Sequence, residues 1–242
     1  VTGASRGIGR ATALQLAGDG FTVAVNYHHN INAATNVVNE IVSAGGRAFA
    51  VRADISDEHQ VLAMFDAIDR EGEPLTALVN NAGILFEQST IENLTADRIN
   101  RILATNVTGY FLCCREAVKR MSHKHGGIGG AIVNVSSAAS RLGAPGEYVD
   151  YAASKGAVDS LTTGLSLEVA AYGIRVNGVR PGLIYTDIHA DGGEPGRVDR
   201  VKASLPMQRG GQPEEVAQAI VWLISDKASY VTGSFIELAG GK

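Results

Sequence analysis

The sequence predicts an α/β fold: a doubly wound parallel sheet with helices on both faces. Three observations carry that expectation. Short apolar runs of strand length alternate with helical patterns along all 242 residues, which is the order of consecutive strand–helix–strand units. A glycine-rich turn, Val1-Thr2-Gly3-Ala4-Ser5-Arg6-Gly7-Ile8-Gly9, leads straight into a helical pattern over residues 11–16. The polar residues that could do chemistry fall at the C-terminal ends of strands, where open parallel sheets bind ligands. One domain over residues 1–242 accounts for the chain, without an internal repeat or linker.

Composition narrows the function classes. With 45% hydrophobic residues the chain can bury a sizeable core, and a net charge of −4 gives no electrostatic case for nucleic acid or an anionic membrane. No apolar run approaches the roughly 18 residues of a membrane-spanning helix, and no leader peptide is visible at the start. The only cysteines, Cys113 and Cys114, are adjacent in an apolar helical stretch. They fit a reduced, cytoplasmic protein rather than a disulfide framework, and the histidines lack metal-ligand spacing.

Taken in order, the glycines of the first turn would permit a tight bend and close approach of a diphosphate to helix N-terminal amides. Only Val1 represents the strand that should precede such a turn, so further apolar residues are expected upstream of it. Residues 21–27 read as a strand apolar enough to be buried on both faces. An acidic residue at its end would chelate an adenine ribose and repel a 2′-phosphate. Here Asn26, Tyr27, His28 and His29 occupy the region instead, and Arg6 could meet a phosphate. That favours NADP over NAD, the alternative being that the two histidines are only exposed loop residues.

A helix over 31–44 closes at Gly45-Gly46, and a strand over 48–51 leads to Asp54, which either caps a turn or accepts from an adenine amino group. Asp57 is placed to cap the helix that follows, through residue 68. The strand over 75–79 ends in Asn80-Asn81-Ala82-Gly83, either a polar ledge beside a cofactor or turn chemistry alone. A long helical region starts at Thr95 or Asp97 and runs to about residue 121, with Asn106 set among Leu103, Val107, Phe111 and Leu112. An amide there needs partners, so it is a kinking structural residue, part of a proton path, or both.

The strand over 131–135 delivers Ser136 and Ser137 to its C-terminal end, and Tyr151 begins a helix reaching about residue 172. Tyr151 and Lys155 stand at i and i+4 and leave one helix face. A phenol, with an ordinary pKa of about 10, becomes a usable acid or base if an ammonium nearby lowers that value. A strand over 174–179 leads to Pro181-Gly182. Residues 186–207 then read as a mobile flap over a substrate or as a plain surface loop. A helix over 213–225 and a strand over 234–238 complete the chain.

With these residues together, the whole chain resembles the short-chain dehydrogenase/reductase family. The resemblance rests on Thr2 to Gly9, Asn80-Asn81-Ala82-Gly83, Asn106, Ser137, Tyr151 with Lys155, and Pro181-Gly182. It is similar in general look to glucose dehydrogenases and 3-oxoacyl-carrier-protein reductases. The resemblance implies a Rossmann sheet, hydride transfer between a nicotinamide and a small carbonyl or alcohol, no metal, and a homotetramer. It further implies Tyr151 as acid/base, Ser137 on the substrate oxygen, and Lys155 lowering the tyrosine pKa and holding the ribose. Asn106 would place a water in a proton relay. The cofactor-binding set implied is Gly3, Ser5, Arg6, Gly7, Ile8, Gly9, Asn26, Tyr27, His28, Asp54, Ile55, Asn81, Ala82, Gly83, Tyr151, Lys155, Pro181, Gly182, Ile184 and Thr186. The interval from Ser137 to Tyr151 is one residue longer than is common in the family, which keeps Ser136 and Ser140 open as alternatives. A catalytically silent nucleotide-binding sensor of the same fold is the competing function; an epimerase or dehydratase would need a larger C-terminal substrate region.

Overall fold

A computed structural model describes residues 1–242. The chain order is α1 (Gly7–Gly18), β1 (Thr22–Tyr27), α2 (Ile31–Ser43), β2 (Arg47–Arg52), α3 (Glu58–Asp69) and β3 (Ala77–Asn80). Next come α4 (Ala96–Leu103), α5 (Gly109–Met121), β4 (Gly130–Val135), α6 (Ala139–Leu142), α7 (Val149–Val169) and β5 (Ile174–Pro181). The chain ends with α8 (Ile188–Asp191), α9 (Arg197–Val201), α10 (Pro213–Ile224) and β6 (Phe235–Leu238).

Local chemistry sets the helix starts. Asn30, Asp57 and Thr95 each accept from the backbone N–H three residues on, capping α2, α3 and α4. Before α10, Gln212 and Glu215 form a reciprocal capping box and Pro213 occupies the first turn, where its missing N–H is harmless.

All strand pairs are parallel. β1 pairs with β2, and β3, β4, β5 and β6 pair in that order. Residues 1–4 lie between the two sets. The Val1 carbonyl accepts from the Asn26 N–H at 3.2 Å, and the Thr2 N–H donates to the Val79 carbonyl at 3.0 Å. Two apolar cores flank this sheet, as expected when both faces are covered. One gathers Leu16, Val25, Ile41, Ile220 and Leu223 from the α1, α2 and α10 side. The other gathers Phe65, Tyr110, Ile132, Val158 and Val176 from the α3, α5 and α7 side.

One departure from the predicted helices matters for the site. The expected continuous helix to residue 121 is interrupted by a π-helical turn, Ala104–Thr108, between α4 and α5. Asn106 sits inside it and is fully buried. Such turns widen the backbone ring and free a carbonyl from the regular ladder.

Candidate active site

A cleft of about 940 Å³ runs across the C-terminal ends of the strands. The first turn, the end of β1, residues 53–56 and residues 81–83 line one half. Residues 137–148, Tyr151 and the segment after β5 line the other. The sequence-predicted residues therefore converge on one site, though not all in the roles expected.

The glycine-rich turn is built for close approach. A Cβ on Gly9 would lie 2.4 Å from the Gly3 carbonyl oxygen and 2.5 Å from the Asn81 amide nitrogen, so only glycine fits. Asn81 braces the turn by donating to the Thr2 and Gly3 carbonyls at 3.0 and 3.1 Å. The Thr2 hydroxyl accepts from the N–H groups of Asn81 and Ala82 at 2.9 and 3.0 Å. Thr2 was no separate candidate; its place in the turn motif was the only signal available. This tight turn, opening onto the N-terminus of α1, fits a dinucleotide diphosphate.

Asn26 differs from expectation. It is 3% exposed. Its carboxamide oxygen accepts from the Gly3 N–H at 3.1 Å, and its nitrogen donates to the Val51 and Ala53 carbonyls at 3.3 and 3.2 Å. The side chain thus ties the turn to β2 rather than presenting itself to a ribose. Tyr27 is likewise buried in the core. Arg6, His28 and His29, all exposed, are basic groups at this edge. Arg6 pairs with Asp191 of α8, and His28 approaches Asp54 at 3.5 Å. Asp54 also accepts from the Ser56 N–H and hydroxyl at 2.9 and 2.7 Å, which is turn chemistry at the cleft wall.

At the reactive end the three candidate serines separate. Ser136 is buried and donates to the Lys155 carbonyl at 3.2 Å, and Ser140 donates to the Ser137 carbonyl at 2.8 Å. Ser137 lines the same cleft as Tyr151; its hydroxyl accepts from the Ala139 N–H at 3.1 Å and lies 3.5 Å from the Pro181 carbonyl. Burial pushes the Tyr151 pKa up to about 12, with Ser137 acting in the opposite direction.

Lys155, on the same face of α7, is bonded to other groups. Its Nζ donates to the Val135 carbonyl at 2.8 Å and to the Tyr110 hydroxyl at 3.3 Å, and lies 5.6 Å from the Tyr151 ring centroid. Burial drives the Lys155 pKa down to about 7, only partly opposed by Asp159. The one-face spacing holds, but a buried ammonium takes the nearest acceptors. Asn106 is similarly engaged. Its oxygen accepts from the Ile84 N–H at 2.8 Å, and its nitrogen donates to the Ile84 carbonyl at 2.9 Å and the Ser154 hydroxyl at 3.1 Å. It locks the segment after β3 onto α7.

Residues 186–207 form short helices held over the cleft. Tyr148 donates to the Gly192 carbonyl at 3.2 Å, Gln88 donates to Glu194 at 2.7 Å, and Arg197 grips Glu147 through two bonds at 2.9 and 2.5 Å. A further ion pair fixes the start of α7. Arg98 donates to Asp150 at 2.6 Å and to the Glu87 carbonyl at 2.6 Å, while Asp150 accepts from the Tyr151 N–H at 2.9 Å. Sequence patterns did not reveal these pairs, because they join residues 44 to 106 positions apart.

A doubly wound parallel sheet with a glycine-braced turn at the start of α1, and Ser137 and Tyr151 in the same cleft, fit the class of dinucleotide-dependent oxidoreductases. The comparisons with known proteins agree. A family model described as enoyl-(acyl carrier protein) reductase matches residues 3–242. The chain is 78% identical over 242 residues to the uncharacterized oxidoreductase YgfF of Escherichia coli (strain K12), covering 100% of this chain and 98% of that one. It is 38% identical to the 3-oxoacyl-[acyl-carrier-protein] reductase FabG of Staphylococcus aureus (strain Mu50 / ATCC 700699), covering 100% and 96%. A solved short chain dehydrogenase from Burkholderia cenocepacia J2315, in complex with NADP, superposes with a TM-score of 0.90 at 32% identity, covering 100% and 95%. The chain belongs to the short-chain dehydrogenase/reductase family.

Proposed function

We propose that the protein interconverts a carbonyl compound and its alcohol, with NADP preferred over NAD. The Ser137–Tyr151 hydroxyl pair, in the same cleft as the glycine-rich turn, carries this reading. Bound in that cleft, the dinucleotide would supply or accept the hydride. Gly3, Ser5, Gly7, Ile8 and Gly9 would hold its diphosphate, Asp54 and Ile55 would flank the adenine, and Asn81, Ala82 and Gly83 would form the ledge beside it. Pro181, Gly182, Ile184 and Thr186 would seat the nicotinamide and Lys155 its ribose. Arg6 and His28, with no carboxylate at the end of β1, support the phosphate-bearing cofactor.

In the reducing direction Tyr151 donates its phenolic proton to the carbonyl oxygen as negative charge builds there, and Ser137 donates a second hydrogen bond. Ser137 already opposes the effect of burial on the phenol. Lys155, brought to charge by the ribose oxygens, adds to the same effect, and Asn106 keeps the proton path in register. The exposed Phe111 on α5, Leu167 on α7 and Tyr230 after α10 support assembly into a homotetramer.

Tyr151→Phe tests the reading. Turnover should fall at least about 100-fold while NADPH still binds by fluorescence titration. Retained turnover would remove Tyr151 from the chemistry.

A further inference from the structure

Resting on that oxidoreductase reading, we infer that the reactive chamber selects neutral, apolar carbonyl compounds, such as alkyl and alicyclic ketones, and rejects both carboxylates and polyhydroxylated sugars. The argument turns on which polar groups of the chamber wall are free. Tyr148 is committed to the Gly192 carbonyl at 3.2 Å, and Ser140 to the Ser137 carbonyl at 2.8 Å. Arg197 and Glu147 neutralise one another through paired bonds at 2.9 and 2.5 Å, with the guanidinium 14% exposed. His189 turns a ring nitrogen to the Ile184 carbonyl at 2.9 Å, and burial lowers its pKa, so it is no cation at neutral pH.

What faces a substrate is Tyr151 with Ser137, whose hydroxyl accepts from the Ala139 N–H at 3.1 Å and lies 3.5 Å from the Pro181 carbonyl, and in the same cleft Thr105 and Asp187 beside Leu85, Leu142, Pro145, Ile188 and Leu205. One carbonyl oxygen takes both hydroxyls. A polyol would lose more water partners than Thr105 and Asp187 can replace, and a carboxylate would meet a guanidinium already held by Glu147 and flanked by Glu194 at 3.6 Å. Arg101 and Lys242 are exposed at the rim. Arg101 lies over the Phe86 ring at 4.8 Å and near Asp97 at 3.9 Å. Solvent and salt screen charges so placed.

The test compares kcat/KM on the wild-type protein: cyclohexanone against pyruvate with NADPH, and cyclohexanol against glucose with NADP. The apolar member of each pair should lead by at least about 100-fold. Equal or inverted values would overturn the inference, and turnover of glucose or pyruvate alone would do so while leaving oxidoreduction standing. No turnover of any of the four, with NADPH binding intact by fluorescence, would overturn both readings. A second arm uses Glu147→Gln, which leaves the Arg197 guanidinium with only its longer contact to Glu194, at 3.6 Å. The pyruvate-to-cyclohexanone ratio should rise about 10-fold. An unchanged ratio would remove the pair as the element that excludes carboxylates.

Discussion

Lys155 reaches past Tyr151 to a second phenol: its Nζ stands 3.3 Å from the Tyr110 hydroxyl, and both groups bond the Val135 carbonyl, at 2.8 and 3.2 Å. Tyr110 is fully buried on α5. Its oxygen is one of only two acceptors for a buried ammonium, with Tyr151, Asp159, Cys113 and Cys114 the other titratable groups that face this cluster. Tyr110→Phe removes that acceptor, so the charged form of Lys155 loses stabilisation and its pKa falls further. The basic limb of the kcat/KM profile should move acidward by about one pH unit, roughly one hydrogen bond's worth. A superimposable profile would reduce Tyr110 to core packing.

The same burial makes Lys155 a pH-dependent liability for the fold. Its pKa is about 7 in the native state against 10.5 when exposed. Between those values the unfolded chain binds more protons than the native one, so this group's contribution to stability rises with pH. The penalty is full below pH 7 and absent above about 10.5. Wild type and Lys155→Met should therefore differ by an amount that changes across this window, in the variant's favour at pH 6 to 7 and narrowing toward pH 10. Each unit corresponds to about 1.4 kcal/mol. Urea denaturation at several pH values reads this directly, and a constant difference would contradict it.

These two predictions show where the sequence was legible. Strand and helix order, caps such as Asp57, and the convergence of Gly3 to Gly9 with Ser137 and Tyr151 follow from local pattern, because periodicity and turn chemistry act over a few residues. Asn106 was visible as an amide needing partners, but the π turn that carries it depends on packing against Ile84 and Ser154. Asn26 looked like a ribose ligand because nothing local reveals that Gly3, Val51 and Ala53 claim its amide. The Tyr110–Lys155 contact joins residues 45 apart and has no sequence signature at all.

Arg98 and Asp150 extend the point to stability. The Asp150 side chain is 2% exposed and Arg98 16%. Removing the guanidinium strands a carboxylate beside the Tyr151 N–H and releases the Glu87 carbonyl. Arg98→Ala should cost about 3 kcal/mol in urea denaturation and lower kcat more than it raises KM, because the start of α7 shifts. Arg98→Lys should recover part of both. A loss within 0.5 kcal/mol, as surface substitutions give, would mean that the pair anchors nothing.

Asn26→Asp distinguishes a ribose ligand from a brace. A ribose ligand would turn preference toward NADH. As a brace, the carboxylate would instead face the Val51 and Ala53 carbonyls that the amide now serves. The expected outcome is a loss of about 1–3 kcal/mol in stability, with NADPH and NADH binding weakened together. A clean switch to NADH with unchanged stability would restore the ribose role.

Arg6 is held by Asp191 of α8, so a 2′-phosphate would have to compete with a carboxylate for the same guanidinium. Both side chains are roughly half exposed, which keeps the competing pair weak. Arg6→Ala should then weaken NADPH binding about 10-fold and leave NADH binding nearly unchanged. Asp191→Asn should act in reverse and tighten NADPH up to about 5-fold, the range of an exposed ion pair. Both effects should shrink as salt is raised, since exposed charges are screened. Parallel fluorescence titrations with the two cofactors decide the matter: equal losses for NADPH and NADH in Arg6→Ala would assign Arg6 to the shared diphosphate and leave cofactor choice to His28 and His29.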